Sequence, residues 1–210
     1  NWTFYFDDIV LPSGGDGGGA PSGGLVTDFE QLHETYDFGV DGGFGGGAAQ
    51  VIANPVADGN NTSNQVARML KFNDQPFGGA TLALSSTLVV PSGSSFTMKV
   101  WSPRVVDVLF KLEGGPDAET TVTHGGSGWE TLTFDFTGIS GSFTGITFIF
   151  DNGTNGDAAN DPDNWTFYFD DIVLPSGGDG GGGSGGLVTD FEQLPETYDF
   201  GVDGGFGGGA

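Results

Sequence analysis

The chain contains the segment NWTFYFDDIVL twice, at residues 1–11 and again at residues 164–174. A second block also recurs, because residues 25–48 return as residues 187–210 with a single substitution. Sequence that returns almost letter for letter over such a distance is typical of tandem-repeat proteins. Any fold for this chain must therefore accommodate one complete repeat together with parts of two neighbouring repeats.

The two repeated blocks predict five segments. We expect the last strand of a preceding repeat, a linker, one complete β-sandwich repeat, a second linker and the start of a following repeat, at residues 1–11, 12–24, 25–174, 175–186 and 187–210. Both linkers are rich in Gly and Ser, a composition typical of flexible tethers. The copy at residues 164–174 ends the complete repeat, and the identical copy at residues 1–11 is separated from that repeat by one linker. Either copy could therefore supply the strand that closes the fold of the complete repeat.

The charge balance restricts the class of partner. The formal net charge is −23, and all five basic residues lie between Arg68 and Lys111. Such a balance argues against nucleic acid and anionic membranes as partners, and it favours divalent cations as counterions. No apolar run approaches the length of a membrane span, so we expect no membrane insertion within these residues. The chain has no cysteine, and a domain of this size can bury a core without disulfides.

The hydrophobic pattern predicts an all-β fold. Short runs alternate apolar with polar residues and are separated by Gly, Pro, Ser and Asp, which is typical of strands and turns. The predicted strands are 25–30, 65–72, 81–84, 95–102, 105–113, 120–123, 129–137, 144–151 and 165–174. Residues 39–47 and 54–64 are expected to be loops. This number of strands predicts a β-sandwich of the jelly-roll type, repeated in tandem and joined by Gly/Ser-rich linkers.

Several motifs of the complete repeat resemble a known family. These are DFE, MKVWSP, KLE, WETLTFDFTG and YFDDIVL, at residues 28–30, 98–103, 111–113, 129–138 and 168–174. Together they resemble the jelly-roll carbohydrate-binding-module-like repeat domains of secreted Bacteroidota surface proteins. The resemblance covers residues 25–174. It implies that the first and last strands lie side by side and that their acidic residues hold a structural Ca²⁺, here Asp28, Glu30, Asp170 and Asp171.

The acidic residues themselves also favour calcium. Ca²⁺ takes six to eight oxygen ligands, and closely packed carboxylates would repel one another without a cation. The alternative is that Asp170 and Asp171 mark a β-bulge with one carboxylate in solvent. A second possible metal loop contains four further acidic residues, Asp151, Asp157, Asp161 and Asp163. That loop lacks EF-hand spacing, and a solvated acidic loop is the alternative for it.

Trp101 is the candidate for a glycan contact. Alternation places Phe96, Met98 and Val100 on the core face of their strand, and Lys99 and Trp101 on the other face. An outward tryptophan beside Lys99 and Arg104 would suit stacking against a sugar ring together with contacts to its hydroxyl groups. The alternatives are that a loop covers Trp101 and that Lys99, Arg104 and Lys111 pair with acidic residues of the same chain. For Trp129 and Trp165 we expect packing at the core edge.

We expect no enzymatic activity. His33 becomes Pro195 in the second block, and His124 stands alone in a Gly-rich turn, so no nucleophile with a base is apparent. The first functional hypothesis is a non-catalytic, calcium-stabilised module of a giant extracellular fibrous or adhesive surface protein, a filament or adhesin, whose partners are neighbouring repeats. The alternative hypothesis is a secreted or cell-surface array that binds polysaccharide.

Overall fold

The computed structural model describes residues 23–31, 36–39 and 42–175, which form ten strands and one short helix. The elements are β1 (Gly23–Thr27), β2 (Gly47–Ala53), β3 (Gln65–Lys71), β4 (Ala80–Val90), β5 (Ser94–Ser102), β6 (Val105–Glu113), β7 (Ala118–Gly125), β8 (Gly128–Phe136), β9 (Gly141–Phe150), α1 (Pro162–Trp165) and β10 (Thr166–Pro175). The flanking segments predicted at residues 1–11 and 187–210, and most of both linkers, lie outside the described residues.

The strands form two antiparallel sheets. In the larger sheet the order is β2-β3-β10-β5-β8, with β1 also paired to β10. The smaller sheet has the order β4-β9-β6-β7. The core between them is filled mainly by aromatic and aliphatic side chains, and ten of its phenylalanines are fully buried: Phe29, Phe96, Phe110, Phe134, Phe136, Phe143, Phe148, Phe150, Phe167 and Phe169. The predicted all-β jelly-roll sandwich is confirmed.

Strand β5 shows how the sequence pattern produces this layering. Its residues alternate strictly between buried and partly exposed along the whole strand. Phe96, Met98 and Val100 are fully buried, while Lys99 and Trp101 lie on the outer face. This alternation is the two-residue period of a strand with one face against the core, and it agrees with the sequence prediction.

The structure differs from the predicted elements in four places. Strand β1 ends at Thr27, although residues 25–30 were predicted to be a strand. Strand β2 was not predicted, because four of its seven residues are glycine or alanine and not the β-branched or aromatic residues that are enriched in strands. The first part of β4 was predicted, but the strand continues to Val90 after an irregularity between Ala83 and Leu88. The helix α1 is a single turn. No helix in the described part of the chain is long and apolar enough to cross a membrane.

Strands β1 and β10 lie side by side, as the resemblance implied. Gly23 is paired with Pro175, and Gly24 with Leu174. On its other edge β10 pairs with β5, and the register shifts there between Asp170 and Val173. The φ angle of Asp171 is 46°, a left-handed conformation that Asp adopts more readily than most residues. The bulge of the predicted alternative is therefore present, but neither carboxylate is free in solvent, because Asp170 is buried and Asp171 pairs with Lys99.

Lys71, at the end of β3, is buried within the sandwich. Its side chain is 0% exposed, and its ammonium group donates to three backbone carbonyl oxygens, those of Pro76 at 2.9 Å, Phe150 at 2.7 Å and Asp151 at 2.7 Å. Burial lowers the pKa of Lys71 to about 8. The ammonium at neutral pH therefore supplies one N–H donor to each carbonyl and ties the segments after β3 and β9 together.

Candidate functional site

One row of residues crosses the outer face of the larger sheet. Gln50 is opposite Arg68, Arg68 is opposite Tyr168, and Tyr168 is opposite Trp101, which in turn is opposite Trp129. Residues directly opposite one another in a ladder share a face of the sheet. We call these five residues the outer row. Four neighbouring strands and the edge strand β8 thus each contribute one polar or aromatic side chain to the same line.

The centre of the outer row is an aromatic pair. The ring centroids of Trp101 and Tyr168 are 5.3 Å apart, and their planes are inclined by 55°. Both side chains are partly exposed, so they offer apolar ring surface to a ligand. The Arg68 guanidinium next to Tyr168 acts against the effect of burial, which raises the pKa of the Tyr168 hydroxyl. The phenol is therefore neutral and able to donate a hydrogen bond at physiological pH.

A loop covers one end of the outer row. Residues 54–64 connect β2 to β3, and the backbone N–H of Asn54 donates to the carbonyl of Asn64 to close the loop. The indole N–H of Trp129 donates to the Val56 carbonyl at 2.9 Å, and Trp129 is only 4% exposed. Trp129 is therefore buried by this loop on the outer face of the sheet, whereas packing at the core edge was predicted. The accessible aromatic surface of the row ends at Trp101.

The same loop buries a carboxylate. Asn61 is fully buried, and its side-chain amide donates to Oδ2 of Asp170 at 2.8 Å. The other carboxylate oxygen of Asp170 accepts from the backbone N–H of Asp171 at 2.8 Å. Burial is the main cause that raises the pKa of Asp170 to about 6, and the charge of Asp171 adds to it. Asp170 therefore anchors the loop that borders the exposed part of the outer row.

The basic residues near the predicted glycan site have protein partners. Lys99 forms an ion pair with Asp171 at 2.7 Å, and Arg104 forms one with Asp151 at 2.7 Å. The Arg104 guanidinium also lies 4.4 Å from the centre of the Trp165 ring. The predicted alternative, that these cations pair with acidic residues of the chain, is confirmed for both. Lys99 remains on the same face as Trp101, whereas Arg104 is engaged with Trp165.

Two site residues, Tyr168 and Arg68, were not predicted from the sequence. Tyr168 lies in the repeated strand, where its position opposite Trp101 depends on the pairing of β10 with β5. Arg68 makes no ion pair with any described residue, and its Nε atom is buried without a hydrogen-bond partner there. Pairing between distant strands has no signal in one sequence, so only the fold brings these side chains to Trp101.

The four acidic residues predicted to bind calcium have individual protein partners. The side chain of Asp28 accepts from the backbone N–H of Glu30, and Glu30 accepts from the backbone N–H of Gln65 and the amide of Asn64. Asp170 is bound by Asn61, and Asp171 by Lys99. Among the described residues, no group of three or more acidic or histidine side chains is arranged to hold a metal ion. Calcium binding by these residues stays a prediction.

The second acidic loop follows β9. Asp151 pairs with Arg104, Asp157 accepts from the amide of Asn160 at 2.8 Å, and Asp161 accepts from the amide of Asn164 at 2.9 Å. Asp163 is exposed within α1. These contacts stabilise turns, and a metal at this loop likewise remains a prediction.

His124 is fully buried between the two sheets. Its ring nitrogen Nε2 lies 3.2 Å from the Val100 carbonyl oxygen and 3.1 Å from that of Gly128, and Nδ1 accepts from the backbone N–H of Gly126. Both ring nitrogens are thus occupied by backbone groups of neighbouring turns and strands. This arrangement gives His124 a structural role and leaves neither nitrogen directed toward solvent.

The solved structures similar to this chain include carbohydrate-binding modules. One is the xylan-binding family 22 module of Paenibacillus barcinonensis, with 10% identity, a TM-score of 0.45, and coverage of 77% of this chain and 100% of that one. Another is a family 29 carbohydrate-binding module complexed with mannohexaose, with 16% identity, a TM-score of 0.45, and coverage of 72% and 89%. No protein-family model matches the sequence, and no curated protein matches it.

Proposed function

We propose that this chain is a non-catalytic module that binds a polysaccharide on the outer face of its larger sheet. The observation that carries this proposal is the partly exposed pair of Trp101 and Tyr168 at the centre of the outer row. Aromatic rings of this kind stack against the apolar faces of sugar rings. Gln50 and Arg68 extend the row with hydrogen-bond donors suited to sugar hydroxyl groups.

The inclination of the aromatic pair restricts the shape of the ligand. Because the two ring planes differ by 55°, one sugar ring cannot stack on both. Two successive sugars that each stacked on one ring would be turned relative to each other. The face therefore suits a twisted polysaccharide chain better than a flat crystalline surface.

Replacing Trp101 with alanine is expected to weaken polysaccharide binding by about tenfold or more, since the loss of about 1.4 kcal/mol of contact energy corresponds to a factor of ten in the dissociation constant. Tyr168→Ala should have a similar effect. Trp101 is not part of the buried core, so the thermal stability of Trp101→Ala should remain close to that of the original chain. Isothermal titration calorimetry against soluble polysaccharides measures the effect.

Phe77→Ala is the matched control, because Phe77 is also aromatic and is 50% exposed but lies in the segment between β3 and β4, outside the outer row. Its binding should equal that of the unmodified chain. Equal binding by Trp101→Ala and Phe77→Ala would contradict a role for the outer row.

The near-identical sequence blocks at the two ends favour a second role. We propose that the module belongs to an extracellular or cell-surface array, in which tethered copies raise the effective concentration of binding sites for one polysaccharide chain. A fibrous or adhesive role would follow from the same arrangement. Calcium bound at Asp28, Glu30, Asp170 and Asp171 is part of this second proposal, and substitution of Asp170 tests it.

A further inference from the structure

Strand β10 holds the larger sheet together. It pairs with β3 and β1 along one edge and with β5 along the other. Its inward side chains are all buried: Phe167, Phe169, Ile172 and Leu174. The Phe169 ring alone contacts four other aromatic rings, those of Phe29, Phe38, Phe148 and Phe150. Without a strand of this sequence in this place, the sheet would divide and the core would open.

The chain carries a second segment with the same side chains. Residues 1–11 are identical to residues 164–174. Every buried position of β10 up to Leu174 has a counterpart: Phe4, Phe6, Asp7, Ile9 and Leu11. Trp2 likewise corresponds to Trp165, whose ring lies under Arg104. Because the residues are the same, the side-chain contacts available in the place of β10 are the same for both segments.

The connections also permit the exchange. In the structure β1 begins at Gly23, which is paired with Pro175. With residues 1–11 in the place of β10, Pro12 would lie opposite Gly23, and residues 13–22 would connect two antiparallel neighbours as in a β-hairpin. Residues 151–165 connect β9 to β10. The entropy of loop closure changes only slowly with length, so two connections this similar do not decide between the segments.

We propose that the place of β10 is exchangeable, and that residues 1–11 occupy it when residues 164–174 do not. The occupant is a segment of the same chain with the sequence of the strand it replaces. This inference rests on the sheet pairing and the repeated sequence, and it does not depend on polysaccharide binding.

Phe169→Asp tests the exchange, because it places a charge in the core position of β10 and leaves the first copy intact. We expect the full chain with this substitution to retain a cooperative thermal unfolding transition within several degrees of that of Phe6→Asp. The double variant Phe6→Asp/Phe169→Asp should have no cooperative transition. Loss of the transition in Phe169→Asp alone, with Phe6→Asp unaffected, would overturn the proposal.

A disulfide identifies the occupant directly. Thr97 on β5 is paired with Val173, whose counterpart in the first copy is Val10. The chain has no cysteine, so an introduced pair has no competing thiol. In the Phe169→Asp background, Thr97→Cys combined with Val10→Cys should form an intramolecular disulfide that peptide mapping detects. Thr97→Cys with Val173→Cys should form it in the unmodified background. A folded Phe169→Asp chain that forms no disulfide through position 10 would also overturn the proposal.

Discussion

Replacing Lys71 with methionine is expected to lower the free energy of unfolding by about 3 to 5 kcal/mol. Methionine fills a similar volume but offers no donor, so the Phe150 carbonyl oxygen loses the ammonium as its donor. The carbonyl oxygens of Pro76 and Asp151 also lose the ammonium and keep only the backbone N–H groups of Gly153 and Thr154. A buried acceptor left without a donor costs about 1 to 3 kcal/mol. Relaxation of the two joined segments recovers part of this cost. Urea denaturation monitored by tryptophan fluorescence measures the change.

Lys111→Met is the matched control. Lys111 is also on a strand, but its ammonium lies 3.9 Å from the Glu113 carboxylate in a partly exposed pair. Partly exposed pairs contribute about 0 to 1 kcal/mol, so this variant should unfold within about 1 kcal/mol of the original chain. Equal stability of Lys71→Met and Lys111→Met would show that the three carbonyl groups do not depend on the ammonium.

Replacing Asp170 with asparagine is expected to stabilise the calcium-free protein at pH 7 by about 1 kcal/mol, because removal of the buried charge outweighs the loss of one hydrogen bond. Burial raises the pKa of Asp170 to about 6, so the folded protein holds a carboxylate at pH 7 in a place that favours the neutral acid. Asparagine is neutral and nearly isosteric. Its oxygen can accept from Asn61, but its amide then faces the backbone N–H of Asp171, so one hydrogen bond is lost and offsets part of the gain.

The pH dependence provides the second measurement on Asp170. Between about pH 6 and the unfolded value of 3.8, the folded state binds a proton that the unfolded state does not. This group therefore contributes stability that is fully present below pH 3.8 and is lost as the pH rises through 6. The difference in stability between Asp170→Asn and the original chain should shrink as the pH falls from 7 to 4. A constant difference over this range would contradict the raised pKa.

Bound calcium would reverse the expected effect of Asp170→Asn on stability. If Asp170 is a ligand, millimolar Ca²⁺ should raise the melting temperature of the original chain by several degrees at pH 7, and Asp170→Asn should lose this gain. The carboxylates of Asp28, Glu30 and Asp171 would then leave their present partners for the ion. Equal melting curves in Ca²⁺ and in chelator would remove the calcium proposal and leave these side chains with their hydrogen-bond and ion-pair roles.

Most of the fold could be predicted because most strands have a recognisable pattern of apolar and polar residues in their own sequence. Alternation in β5 and the boundaries of β6 follow directly from the order of apolar and polar residues. Strand β2 could not be predicted in this way. Its small residues pair with β3, and Gly47 lies so close to the Gly79 backbone that a side chain would meet it at 2.3 Å. At this position the close approach of the two backbones requires glycine, and such a requirement leaves no hydrophobic pattern in the sequence.

The candidate site was predictable only in part. Trp101 and Lys99 were identified because the face of a residue on a strand follows from its position in the alternation. Tyr168 and Arg68 were missed, because their place beside Trp101 depends on β10 inserting between β3 and β5. The burial of Asp170 depends in the same way on a loop more than a hundred residues away in sequence, which supplies Asn61. The spacing of residues along one sequence does not predict contacts between segments so far apart.

Nuclear magnetic resonance of the indole N–H groups during titration with soluble polysaccharides tests the proposed function most directly. The chain has four tryptophans, and alanine or phenylalanine substitutions assign each signal. We predict that at least one polysaccharide in a panel of neutral and acidic chains shifts the Trp101 signal strongly, while the signal of Trp129, which is buried under the 54–64 loop, changes little. An unchanged Trp101 signal throughout the panel would contradict polysaccharide binding on the outer row.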